Sequence, residues 1–129
     1  MTNVLSVFVV DDDDSARKGL TRLLRTANYS VRDFVSSNEF LEALDSEMPG
    51  CVVMDAGSPG LACEKLDTEL KARAVLAPII IVTTHDDSET RRIAEKLNAV
   101  GFFRKPVDGT ALLDAIVWAM RSGSTDSNH

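Results

Sequence analysis

The chain has 129 residues, of which 44% are hydrophobic and 26% charged, proportions that suit one globular domain with one core and exclude a fibrous or disordered chain. Its net charge of −6 speaks against non-specific nucleic-acid binding, which needs a basic surface to displace counterions, so no direct nucleic-acid contact is expected. No apolar run approaches the roughly 18 residues of a membrane span, and the opening residues lack a basic, then apolar, secretory signal; a cytoplasmic chain off the membrane is the expectation.

Two cysteines, Cys51 and Cys63, have no Cys-x-x-Cys spacing, and the only histidines are His85 and His129. A structural zinc site is thereby nearly excluded, and both cysteines read as free thiols of a reducing compartment.

In chain order, strand-like runs rich in Val, Ile and Phe fall at residues 5–10, 30–34, 51–54, 79–83 and 99–103. The first, third and fourth are continuously apolar, which suits the interior of a parallel sheet covered on both faces. After the first run, Asp13 and Asp14 suit a helix start, and Ala16, Leu20, Leu23, Leu24 and Ala27 give that helix an apolar stripe. Ser36 and Glu39 have capping-box spacing ahead of Phe40, Leu41 and Leu44. The third helix, near residues 62–74, has the weakest stripe, mainly Leu66 and Leu70. Asp86 and Glu89 repeat the capping spacing ahead of Ile93, Ala94 and Leu97. Asp108 is placed to cap a last helix that buries Leu112, Ile116 and Ala119 or Met120. Five such strand–helix units predict a doubly wound α/β sheet, because parallel strands need helical crossovers. Residues 1–121 read as the domain, and 122–129 as a polar tail or the stub of a linker.

The polar residues fall at the strand ends. Asp11 and Asp12 end the first strand, Asp55 the third and Thr83 the fourth, and Lys105 follows the fifth. Strand C-termini of a parallel sheet share one edge, the edge where open α/β sheets bind ligands. Carboxylates held a few ångströms apart repel unless a cation relieves them, and an all-oxygen donor set favours Mg²⁺. With the ion bound, Asp55 stays ionised and can act as a nucleophile toward a phosphoryl group. Lys105 offers a point charge and Thr83 a hydroxyl to the phosphoryl oxygens, with backbone N–H groups of Ala56, Gly57 and Ser58 as further donors. Pro106 admits a cis bond after Lys105.

These segments, Val-Phe-Val-Val-Asp11-Asp12-Asp13-Asp14-Ser-Ala-Arg17, Val-Val-Met-Asp55-Ala-Gly57-Ser-Pro59-Gly60, Ile-Ile-Ile-Val-Thr83-Thr84-His85 and Phe102-Phe-Arg-Lys105-Pro106, resemble the receiver domains of two-component response regulators, those of the FixJ type in particular. The resemblance runs from about residue 4 to 120. It implies a (βα)5 fold with a flavodoxin-like strand order 2-1-3-4-5, and a signalling module rather than an enzyme. A histidine kinase or phosphotransfer protein would supply the phosphoryl group, with Asp55 as phosphoacceptor. Asp12 would ligate Mg²⁺ directly, Asp11 directly or through water, and Asp55 and the Gly57 carbonyl would complete the protein's ligands. Thr83 and Phe102 would form a switch pair that alters the surface of the fourth helix, fifth strand and fifth helix, used for homodimerisation or effector contact. Ser58, Ala62-Cys63 and Ser15 depart from the usual pattern without removing a chemical group from the pocket.

Two other functions compete. A phosphatase of the haloacid-dehalogenase type has its nucleophile near the N-terminus and its acidic pair last; here the order is reversed, and Gly57 offers no general acid. A pseudo-receiver would keep the fold as a docking module without phosphorylation, which the full set of pocket residues disfavours. Arg91, Arg92, Lys96 and Arg104 read as a solvated basic face, and His85 as a surface loop residue.

Overall fold

A computed structural model describes residues 3–56, 63–85 and 87–125. Its elements alternate as β1 (Asn3–Val10), α1 (Asp14–Thr26), β2 (Ser30–Phe34), α2 (Ser37–Leu44), β3 (Pro49–Asp55), α3 (Cys63–Ala72), β4 (Ile79–Thr83), α4 (Ser88–Lys96), β5 (Gly101–Arg104) and α5 (Gly109–Thr125). The strands form one parallel sheet in the order β2-β1-β3-β4-β5, the expected doubly wound arrangement. The three runs expected to be continuously apolar are its three interior strands, apolar but for the buried Ser6 in β1 and the closing Thr83 of β4. They must be apolar on both sides because helices cover both faces.

The period-two alternation of the strands divides the core. Phe8, Val52, Met54 and Ile81 face one side, against Phe40 of α2, Leu66 and Leu70 of α3, and Ala94 of α4. Val7, Val9, Val53, Ile80 and Val82 face the other, against Leu20 and Leu24 of α1 and Leu112, Ile116 and Ala119 of α5. The first side also holds an aromatic cluster in which the Phe8 and Phe34 rings meet edge-on at 5.0 Å.

Helix starts are capped by side-chain oxygens that accept otherwise unpaired amides. Asp13 accepts from Ala16, Ser36 from Glu39, and Asp108 from Thr110 and Ala111. Helix α4 corrects the expectation by one residue: Asp87, not Asp86, is its cap, accepting from the Thr90 amide at 2.8 Å. That phase turns Thr90 and Ala94 into the core; Asp86 itself lies outside the described residues. Helices α1, α3 and α4 end alike, with Asn28, Ala74 and Asn98 at positive φ and the next amide reaching back to Leu24, Leu70 and Ala94. Such left-handed caps release the chain into the following strand.

Two further differences concern helix faces and ends. The buried side of α1 is Arg17, Leu20, Thr21 and Leu24, so a guanidinium shares the stripe that composition alone assigns to Ala16 and Ala27. Helix α5 continues to Thr125, into the segment read as a tail; residues 126–129 lie outside the described residues. Among the described residues, no helix is long and apolar enough to cross a membrane.

Candidate functional site

The site lies on the carboxyl edge of the sheet. Val10 pairs with Met54, so the next residues, Asp11 and Asp55, emerge side by side from adjacent strands. Asp11 leaves the ladder only partly, since its amide still donates to the Phe34 carbonyl at 3.0 Å. Its Oδ1 accepts from the Asp13 amide at 2.9 Å, and its carbonyl accepts from Arg17 Nη1 at 3.0 Å. Lys105 crosses from beyond β5, its Nζ donating to Asp11 Oδ2 at 2.7 Å and to Asp55 Oδ2 at 3.1 Å. The Lys105 amide donates to the Thr83 carbonyl at 2.7 Å, which fixes the root of that side chain against β4, and the Lys105-Pro106 bond is cis.

Asp11 and Asp55 are buried and Asp12 is exposed; one oxygen from each lies within 4.8 Å of the others. Burial raises the Asp11 pKa above its ordinary 3.8, because charge is costly away from water, and the bond from Lys105 only partly offsets this. The Lys105 ammonium also suffers from burial, yet its bonds to Asp11 and Asp55 prevail and raise its pKa above 10.5. The asymmetry is physical: Lys105 faces two carboxylates, whereas Asp11 faces one ammonium and a like charge. Among the described residues, three clustered carboxylates with the Lys105 amine against them form an oxygen-only, negatively charged donor set. That chemistry fits a hard divalent cation, with Asp11, Asp12 and Asp55 as the residues to hold it.

Thr83 closes β4 one residue beyond Val82, the partner of Asp55. It is fully buried, and its hydroxyl accepts from the His85 amide at 3.0 Å. Phe102 is half-buried against the α2–α4 side of the core, its ring 4.8 Å from the Arg91 guanidinium. His85, Arg91, Arg92, Lys96 and Arg104 are exposed. Gly57, Ser58, Pro59, Gly60 and Ala62 lie outside the described residues, as does the Cys63 side chain; Cys51 is a buried free thiol.

Sequence reasoning missed Arg17, which lies behind this site rather than in it. Its Nε donates to Asp33 Oδ2 at 3.0 Å and its Nη2 to Asp14 Oδ1 at 2.6 Å, besides the bond to the Asp11 carbonyl. The signal was there in the spacing: residue 17 falls three and seven positions before Leu20 and Leu24, on the buried stripe.

Comparison with known proteins gives consistent matches. A family model described as the response regulator receiver domain matches residues 7–117. The chain is 40% identical to nodulation protein W of Bradyrhizobium diazoefficiens over 88% of its own length and 50% of that protein's. It is 36% identical to the transcriptional regulatory protein FixJ of Azorhizobium caulinodans, over 90% and 55% respectively. The full-length FixJ structure from B. japonicum superposes with a TM-score of 0.84 at 36% identity, over 95% of this chain and 61% of that one. The chain thus spans about half the length of the curated relatives it matches.

Proposed function

The chain belongs to the receiver domains of response regulators, as a phosphoacceptor module of a signalling protein, and from that premise we propose that Asp55 is the residue it phosphorylates, with Mg²⁺ held by Asp11, Asp12 and Asp55. The observation that carries this reading is the meeting of three carboxylates within 4.8 Å, two of them bridged by the Lys105 amine. A bound Mg²⁺ supplies positive charge that offsets the carboxylates and the phosphoryl oxygens. The donor is a histidine kinase or phosphotransfer protein. A carboxylate oxygen of Asp55 bonds to phosphorus as the bond from phosphorus to the donor's imidazole nitrogen breaks, the electron pair returning to that nitrogen.

Lys105, already in contact with Asp55, keeps its ammonium for a phosphoryl oxygen once Asp55 is esterified. The Thr83 hydroxyl exchanges the His85 amide for another phosphoryl oxygen. Its movement frees space for the Phe102 ring, and the surface of α4, β5 and α5 changes with it. That surface is the proposed site of homodimerisation or effector contact. By the same reading residues 1–121 make up the receiver unit and 122–129 a polar tail or the stub of a linker, into which α5 continues as far as Thr125, and the Gly57 carbonyl would be a further ligand for the ion.

Incubation with acetyl phosphate and Mg²⁺, read by intact-protein mass, tests the reading. One phosphoryl group is expected on the unsubstituted chain, none after chelation of Mg²⁺, and none on Asp55→Asn at any time point. A chain that stays unmodified under every condition would instead be a docking module without phosphorylation.

A further inference from the structure

Asp11 is held at every polar atom it has. Its amide donates to Phe34, its two carboxylate oxygens accept from Asp13 and Lys105, and its carbonyl accepts from Arg17. The first three bonds follow from the sheet, the turn and the pocket. The fourth requires an arginine on the inner side of α1, where Arg17 is 8% exposed. A guanidinium so placed must find acceptors for its fork of donors. It finds them on three segments: Asp33 on β2 at 3.0 Å, Asp14 on α1 at 2.6 Å, and the Asp11 carbonyl at 3.0 Å. Asp33 pairs with Val9 of β1, so the anchor itself belongs to the rigid sheet.

The carbonyl is the informative acceptor. It belongs to the peptide unit that joins Asp11 to Asp12, and that unit is planar. A hydrogen bond on its oxygen fixes the rotation of the plane and so the direction in which the exposed Asp12 carries its carboxylate. We propose that Arg17 is a positioning residue for the acidic pair, orienting the Asp11–Asp12 peptide so that both carboxylates are preorganised for a divalent cation. The inference rests on the reading of Asp11 and Asp12 as ligands. Arg17 acts through the peptide, and Asp33 acts through Arg17.

Mg²⁺ titration by calorimetry on the intact chain tests this, beside thermal unfolding without metal and acetyl-phosphate labelling at saturating Mg²⁺. Arg17→Met, which keeps the apolar stem, is expected to weaken Mg²⁺ binding roughly 10-fold, while labelling at saturating Mg²⁺ returns to the unsubstituted level. Arg17→Lys keeps the charge without the fork and is expected to recover little of the affinity; full recovery would show that charge alone matters and overturn the proposal. A lowered unfolding midpoint with unchanged Mg²⁺ affinity in Arg17→Met would mark a purely structural residue and overturn it too. Should Arg17→Met fail to fold, Asp33→Asn decides: weaker Mg²⁺ binding supports the proposal, and unchanged binding rejects it. An unsubstituted chain that binds no Mg²⁺ would instead remove the premise, a result distinct from any of these.

Discussion

Strand β3 carries two titratable side chains four residues apart, and they live in opposite worlds. Cys51 enters the sheet among Val7, Val31, Leu24 and Leu112, fully buried, its thiol pushed up to about 12 by loss of water. Asp55 leaves the sheet beside a second carboxylate and an amine. The contrast extends to the two edges. At the amino ends of β4 and β5 lies a groove of about 760 Å³ lined by Leu70, Val75, Leu76, Pro78, Leu97 and Trp118. Its lining is mostly apolar, with Asp67, Lys71 and Asn98 as its polar members. The carboxyl edge instead gathers polar groups at the strand ends, Asp11 and Asp12 after β1, Asp55 on β3, Thr83 on β4 and Lys105 after β5. Substitutions there should change chemistry and charge balance, whereas substitutions at the amino edge should change mainly packing.

The largest effect bearing on this contrast is expected from Lys105→Met. The ammonium that bridges Asp11 and Asp55 would vanish, leaving two buried carboxylates side by side. Metal-free stability should fall by roughly 3 kcal/mol in urea unfolding, the lower range for an orphaned buried charge. Mg²⁺ binding should tighten, because the amine no longer occupies an oxygen of each carboxylate. Phosphorylation by acetyl phosphate should slow roughly 100-fold, as when one preorganised donor is removed from a developing charge. Unchanged stability together with unchanged Mg²⁺ affinity would mean that the amine does not balance these carboxylates.

Cys51 tests the other end of the strand through pH. Its folded pKa is raised, so the unfolded chain loses the thiol proton first, near the ordinary value of 9.0, and the folded chain holds it to about 12. The unfolded state then binds fewer protons, and stability falls as pH rises between those values. Roughly 2 kcal/mol should be lost by about pH 10.5, as the unfolded thiol ionises and the folded one does not. Urea unfolding of Cys51→Ala should lack this component while keeping any alkaline loss from other groups. Alkylation of the Cys51 peptide in the folded chain should also stay negligible up to that pH, and rapid labelling at pH 8 would contradict the burial.

The same contrast explains what the sequence made legible. Continuous apolar runs at β1, β3 and β4 mark interior strands, since helices on both faces leave no polar side. Polar residues at strand ends must gather at one edge in a parallel sheet, so the meeting of Asp11, Asp12, Asp55 and Lys105 followed from order alone. The spacing put Arg17 on the buried stripe, but an arginine on an amphipathic helix ordinarily points to solvent; Asp33, Asp14 and the Asp11 carbonyl are what make its burial possible. The α4 cap was displaced because Asp86 and Asp87 offer the same carboxylate. Only the phase that buries Thr90 and Ala94 separates them.

The smallest effect is expected at the apolar groove, from Leu76→Asp. Leu76 is 90% exposed in the folded chain, so almost all of its surface is in water before and after unfolding. Burial of the remaining tenth, about 20 Å² at 25 cal/mol per Å², is worth about 0.5 kcal/mol, and urea unfolding should shift by no more than that. Acetyl-phosphate labelling of Asp55 should be unaffected, because the charge is added at the opposite edge and screened by water. Leu112→Ala makes the matched comparison: the same residue type, fully buried between α5 and the sheet, should cost 2–5 kcal/mol, in the range of about 3 kcal/mol for leucine truncation in cores. A Leu76→Asp chain that lost labelling while keeping its stability would show that the two edges are coupled through the sheet, and the separation of chemistry from packing would no longer hold.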